Sequence, residues 1–255
     1  MKLRYRPSVA RVLLAAAVVL AGCKSGIKDD PILRLSAAEA LSEGKQLFER
    51  ERYGRAQPYF SHAFEVEPNS AVGREALLLV ADCLFLDGGT ANLIQAEAKY
   101  RDFQNRFPTS ERAAYVQYQI ANSLSKRIER ADRDQAATHK ARAALEDLVR
   151  LYPTSEYAEQ ARAELVTVTD QLAEHEFLVG KFYLRFGLPA ASALRFEGLL
   201  ANYPAFSERD KVLLHLGLAY RELGRADDAQ STFTKLRAEH PESRWLKELP
   251  KDARG

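Results

Sequence analysis

Cysteine is nearly absent from this chain: Cys23 and Cys83 are the whole supply in 255 residues. That leaves no disulfide framework to hold a fold together. An excess of one charge sign is also missing, with 37 Lys and Arg against 35 Asp and Glu, a formal +2. Lys2, Arg4, Arg6 and Arg11 all precede the first apolar run with no acid among them, and subtracting those four from +2 leaves −2 for the rest. A body so close to neutral gives no overall reason to expect a nucleic-acid binder, which shows a basic face or stripe. Long apolar runs are lacking as well. The stretch Val12 to Ala21 makes only about 15 Å of helix, roughly half the hydrocarbon core of a bilayer.

Catalytic signatures are missing too. The run His175 to Val179, HEFLV, begins like a zinc-protease motif but has valine where the second imidazole is required. His62, His139, His215 and His240 are scattered without an accompanying carboxylate cluster, which suits surface or capping roles. There is no glycine-rich phosphate loop and no Gly-x-Ser-x-Gly elbow. These absences point away from an enzyme and from a metal or cofactor, leaving a cell-wall hydrolase as the remaining catalytic alternative.

What is present begins with a leader. Basic residues precede an apolar core that ends in small residues, the order of an export signal over residues 1–22. Leu20-Ala21-Gly22-Cys23 looks like a bacterial lipobox, so Cys23 is expected to carry S-diacylglycerol and N-acyl lipid, several chains giving durable anchoring. Lys24 after the cysteine is compatible with sorting to the outer membrane. Residues 23–35 read as a lipidated polar tether, and Cys83, in LLLVADCLF, as a small buried hydrophobe.

From Ser36 onward the chain repeats itself. Five prolines, Pro68, Pro108, Pro153, Pro204 and Pro241, close apolar-periodic segments. Gly217, Ala229, Phe233 and Pro241 are spaced 12, 4 and 8 apart; Gly44, Ala56, Phe60 and Pro68 repeat this, as do Gly180, Ser192, Phe196 and Pro204. Units two and three keep the later half, as Ala96, Tyr100 and Pro108, and Ala141, Leu145 and Pro153. The spacing suits helix pairs that cross where both are small, Gly217 meeting Ala229, with Tyr220 and Phe233 beside the crossing. Each proline ends a second helix, and the serine after it (Ser70, Ser110, Ser155, Ser207, Ser243) is placed to cap the next. This is the tetratricopeptide pattern, and it predicts an all-α superhelical array of about five helix pairs. DGGTANLI is expected to lengthen the turn in unit two, and RIERADRDQAATH that in unit three. One long helix is predicted between Tyr157 and Phe186, breaking near Gly187-Leu188-Pro189. The expected division is N-terminal repeats at 36–125 on the substrate side, C-terminal repeats at 126–250 on the docking side, and a disordered tail at 251–255.

In such arrays the first helices line a groove that receives a peptide or a partner's helix. Lys45 and Phe48 in unit one, and Tyr115, Tyr118 and Asn122 in unit three, are placed on that face. Aromatics beside a cation would suit a peptide ending in an aromatic residue and a free carboxylate. Tyr115 and Tyr118, at i and i+3, read equally well as packing residues. The insert Glu129 to Gln135 reads on composition as a solvated loop. Arg195, next to Phe196 and near Glu197, reads either as a solvated helical arginine or as an interface anchor.

Asp132 to Pro204 resembles the BamD family, lipoprotein subunits of the outer-membrane β-barrel assembly machinery. The resemblance lies in Arg133-Asp134, Leu172-Ala173-x-x-Glu176, Phe182-Tyr183, Ala190-Ala191 and then Arg195, Glu197 and Tyr203-Pro204. It implies a scaffold on the periplasmic face of the outer membrane, held by its lipid. Such a scaffold docks a BamA-like barrel-forming subunit through the C-terminal repeats and takes unfolded outer-membrane proteins on the N-terminal ones. Arg195, Glu197, Arg133 and Asp134 become candidate contacts with that partner. The competing assignment is the soluble repeat adaptor of the Tol–Pal and cell-wall system, which typically has a coiled coil before its repeats and no lipobox.

Overall fold

The computed structural model describes residues 30–253, so the leader, the lipobox and Cys23 lie outside the described residues. Among the described residues there are ten α-helices, short 3₁₀ turns and no strand. In chain order the helices are α1 (Ala37–Glu49), α2 (Tyr53–Val66), α3 (Ala71–Asp87), α4 (Thr90–Arg106), α5 (Ala113–Ser125), α6 (Ala136–Leu151), α7 (Ala158–Arg185), α8 (Pro189–Asn202), α9 (Arg209–Glu222) and α10 (Ala226–Glu239). Each packs on the helix before it and the helix after it, the sequential contact pattern of a tetratricopeptide array with five pairs.

Proline sets the period. Every second helix stops two residues short of one, and the residue between sits at φ from −127° to −136° with ψ from 54° to 65°. The ring of the following proline disfavours the helical conformation there, so the helix ends at a fixed place in each unit. Within the pairs, the repeat glycine faces the repeat phenylalanine rather than the small residue expected. A Cβ on Gly44, Gly180 or Gly217 would lie 2.6, 2.5 or 2.2 Å from the ring of Phe60, Phe196 or Phe233. All three rings are fully buried, so the glycine is the notch into which the ring seats.

Serine capping holds at fewer places than expected. Ser70 accepts from the Gly73 amide and caps α3, and Ser243 caps a 3₁₀ turn at Arg244–Glu248. At Ser110 and Ser155 the backbone carbonyl receives an amide as a turn leads into the helix; the Ser110 hydroxyl also accepts from the Arg112 amide at 3.2 Å, one residue before α5 begins, and Ser207 caps nothing. The DGGT segment does not make a long turn either. Gly88 and Gly89, at φ of 74° and 77°, complete the reversal alone, and the extra residues lengthen α3 and α4 to 17 residues each. Only glycine takes two consecutive positive φ values without strain. In unit three the insertion is a real loop, between Ser125 and Ala136.

The long helix forms as expected. α7 runs 28 residues, about 42 Å, and ends at Gly187 (φ 72°), where the Leu188 amide reaches back to the Tyr183 carbonyl and Pro189 starts α8. It spans two hydrophobic cores. Ala161 and Val168 belong to a core shared with α1 to α6, whereas Ala173 and Phe177 belong to one shared with α8 to α10. The apolar interior therefore divides within α7, not at residue 125.

Both ends are more ordered than expected. Pro31–Arg34 form a 3₁₀ turn capped by Asp30, and His62 donates to the Leu35 carbonyl at 2.9 Å, so the last part of the tether is docked on α2. The tail at 251–253 is a 3₁₀ turn with Ala253 buried, held by Arg237 on the Ala253 carbonyl and Arg221 on Asp252. Two of the scattered histidines are likewise internal. His62 is buried, and His215 packs edge-on against Phe177, Phe196 and Trp245. Burial holds the His215 imidazole below its ordinary range.

Candidate functional site

The larger concavity, about 830 Å³, lies between α3 and α5 and is closed at one end by the last turn of α4. Its apolar wall is Leu78, Leu79, Phe103 and Phe107, and its rim carries Arg74, Arg106 and Arg112. α3 and α5 are first helices of units two and three, so this is where the repeat architecture puts a groove. Arg74 lies over the Phe107 ring, 5.8 Å from its centroid, and Arg106 is held by Asp102 at 2.8 Å.

Asp82 forms the floor. Its Oδ1 accepts from the Tyr100 hydroxyl at 2.7 Å and from the Tyr115 hydroxyl at 2.8 Å. Burial raises the Asp82 carboxyl above its ordinary value, against the lowering effect of the two phenols and of Arg112. The same burial, with the neighbouring carboxylate, pushes both tyrosines far above theirs. Tyr115 in turn accepts from Gln119 Nε2 at 2.9 Å, and Gln119 Oε1 accepts from Asn122 at 3.1 Å. A hydrogen-bonded chain thus runs from Asn122 to the groove floor.

The structure sorts the residues expected in the groove. Tyr115 lines it, and Lys45 reaches its rim by pairing with Glu75 at 2.7 Å. Asn122 acts through Gln119 and not by touching the cavity. Phe48 packs inside the first unit against Tyr53 and Phe60, and Tyr118 is buried, stacked on Tyr157 at 5.0 Å. The packing alternative thus describes Tyr118, the groove alternative Tyr115. Asp82, Arg74 and Arg112 were missed; the i, i+4 spacing of Leu78 and Asp82 on an otherwise apolar helix was the available signal.

A smaller concavity of about 290 Å³ lies against α7 and α8, lined by Glu176, Leu194, Arg195, Gly198 and Tyr203 among others. Arg195 pairs with Glu176 on α7 at 2.9 Å, not with Glu197. Two residues apart on a helix, Arg195 and Glu197 point to different sides, and Glu197 accepts from the Tyr220 hydroxyl of α9 at 2.5 Å. The same helix pair leaves Phe182, Phe186, Leu188 and Leu194 more than half exposed, the first two rings 4.4 Å apart. Arg133 and Asp134 sit elsewhere, exposed on the unit-three loop, where Asp134 accepts from the Ala136 amide. That loop is pinned to α7 by Gln171 on the Glu129 carbonyl and His175 on the Ala131 carbonyl, and to α4 by Arg127 on Glu97. His175 is therefore a fastening. No group of three His, Cys, Asp or Glu side chains that could hold a metal occurs among the described residues.

Five helix pairs, a charged and aromatic groove, and a second concavity one unit removed from it define the chain as a helical-repeat protein of the tetratricopeptide type. The family described as outer membrane lipoprotein, YfiO, matches residues 34–236, and the chain belongs to that family. It is similar to the outer membrane protein assembly factor BamD of Rickettsia prowazekii, 30% identical over 233 residues that cover 91% of each chain. To that of Caulobacter vibrioides it is 31% identical over 244 residues, 94% of this chain and 78% of the relative. Among solved structures, the TPR2AB-domain:pHSP90 complex of yeast Sti1 aligns over 80% of this chain and 78% of that one, at 14% identity and a TM-score of 0.42.

Proposed function

We propose that this chain is a non-catalytic lipoprotein scaffold for the assembly of β-barrel proteins in the outer membrane. The relatives it matches over most of its length are named as outer membrane protein assembly factors, which favours this reading over the Tol–Pal one. The observation that carries it is the α3–α5 groove, whose apolar wall and arginine rim suit the carboxyl end of an unfolded chain. Unfolded outer-membrane proteins would enter there. The barrel-forming subunit would dock at the α7–α8 concavity, with Arg195 as its anchor. Arg133 and Asp134 would form a second contact on the fastened loop.

Lipid on Cys23 would hold the array at the periplasmic face of the membrane. Seven residue steps from Cys23 to Asp30 reach at most about 25 Å, so unit one and the groove beside it would stay near the bilayer. The test is a pull-down from detergent-solubilised membranes with the chain tagged after Gly255, beside an Arg195→Leu version. Recovery of a large β-barrel protein with periplasmic repeats, reduced by the substitution, is expected. Recovery of Tol–Pal or cell-wall proteins without a barrel subunit would remove the assignment.

A further inference from the structure

We infer that residues 243–253 form a pH-sensitive latch over the last helix pair, shut at neutral pH through the contact of Trp245 with His215 and released on acidification.

The segment lies along α9, where the first helix of a sixth unit would stack. Its contacts advance in chain order along that helix. Ser243 Oγ donates to Asp210 at 2.6 Å, the Trp245 ring packs on His215 with centroids 5.9 Å apart, and Asp252 pairs with Arg221 at 3.2 Å. Leu249 and Ala253 are buried in the same core as Leu213, Leu216 and Tyr220 of α9. Unlike a sixth unit, the segment holds only two 3₁₀ turns, Arg244–Glu248 and Lys251–Ala253. Turns this short have poor internal hydrogen bonding, so the segment stays in place by what it touches.

The His215 imidazole is walled by Phe177 of α7, Phe196 of α8 and Trp245 of the segment, and it donates from Nδ1 to the Lys211 carbonyl at 2.8 Å. A positive charge on that ring would be poorly received from every side. α7 brings Lys181 and α9 brings Lys211, while the segment brings Arg244, which lies over the Trp245 ring. Glu174 and Glu208 are engaged by Lys211, Glu208 also by Arg244 at 3.5 Å, and Asp210 by Ser243. α8 presents Phe196 alone, since Arg195 and Glu197 turn to Glu176 and Tyr220. The Phe177 face already holds the Lys211 ammonium, 4.2 Å from its centroid. Burial and the two lysines accordingly hold the imidazole below its ordinary value.

Three walls of this site are helices of the core, and the segment is the wall that can yield and admit water. Release returns the ring to its ordinary proton affinity, so the released form takes up the proton that the latched form excludes. Its share therefore rises as pH falls below about 6.5, by up to about tenfold per pH unit. Neutral pH keeps the apolar end of the array covered, and acid uncovers it.

Trp245 is the single tryptophan of the chain, so its fluorescence reads the latch directly. The experiment follows its emission maximum and its quenching by acrylamide in the full chain in detergent, from pH 7.5 to 5, with helix content measured alongside by circular dichroism. A red shift and stronger quenching that grow below about pH 6.5, at constant helix content, are expected. They should vanish in His215→Phe and persist in His240→Gln, which removes the other imidazole near the segment. His215→Gln, uncharged at every pH, serves if the phenylalanine is not accommodated. Emission unchanged down to pH 5, or changing only together with loss of helix, would overturn the latch. A change that survives both His215 variants would pass the titration to Asp210, Glu208 or Asp252, and one lost in His240→Gln would pass it to His240; either overturns the assignment to His215.

Discussion

Alanine at Gly217 should unseat Phe233. The new Cβ would lie 2.2, 2.6 and 2.8 Å from Cε1, Cδ1 and Cζ of that ring, against an ordinary carbon contact of about 3.5–4.0 Å. The ring is 1% exposed, so retreat by more than an ångström has to be absorbed by α9 and α10 themselves. Overpacking of this kind costs about 1–3 kcal/mol, and the clash is the tightest of the three repeat glycines, which puts it at the upper end. Alanine's better helix propensity offsets about 1 kcal/mol, for a net loss near 2 kcal/mol. Gly198→Ala in α8 is the control. Its Cβ would meet nothing within 4 Å, so the propensity gain stands alone and the variant should be stabilised by up to about 1 kcal/mol. Urea unfolding followed by circular dichroism measures both. Hydrogen exchange in α9 and α10 localises the loss, since a repeat array opens unit by unit. If Gly217→Ala proved as stable as the unsubstituted chain, with undiminished protection in α10, the ring-in-notch account of the repeat would be refuted.

Lys211 is buried between Glu174 at 2.6 Å and Glu208, with its ammonium 4.2 Å from the Phe177 ring centroid. Lys211→Met leaves two carboxylates without their shared cation and should cost on the order of 3 kcal/mol, read as a lower urea midpoint; an unchanged midpoint would show the pair to be idle. His215 is held neutral by burial, so the unfolded chain binds the extra proton and stability should fall as pH drops below about 6.5. His215→Phe should flatten that part of the pH profile, and an unaltered slope would contradict the assignment. Cys83 is buried with its thiol pushed up to about 12. Chain isolated from membranes should therefore give no titratable thiol when native and one in denaturant, whereas two in denaturant would mean that Cys23 carries no lipid.

The array was legible because the residues that define it act locally. Each repeat proline stops the helix before it, whereas Pro58 is tolerated in the second turn of α2 and Pro189 opens α8, and the Gly, Phe and Pro spacings fall where one pair's notch, ring and stop must fall. What the notch receives was misjudged, since sequence gives the spacing of Gly217 and Phe233 but not the direction in which a ring points. The serine caps failed at Ser110, Ser155 and Ser207 for a related reason: a turn intervenes between the serine and the helix, so even at Ser110 the hydroxyl meets the Arg112 amide of the turn and not one inside α5. The candidate site was legible only in part. Tyr115 and Arg195 do line concavities, yet Asp82 gains its character from Tyr100 and Tyr115, 18 and 33 residues away, a convergence that helical periodicity does not encode. Nor does the spacing of Arg195 and Glu197 reveal that each has its partner on another helix.

The central claim is that this chain serves the assembly of outer-membrane β-barrels, and the most direct measurement is its depletion in its own cell, with β-barrel protein levels in the outer membrane quantified by mass spectrometry. The account predicts a broad fall in those proteins, restored by the unsubstituted chain and less well by Arg195→Leu. Unchanged β-barrel levels after depletion would contradict it.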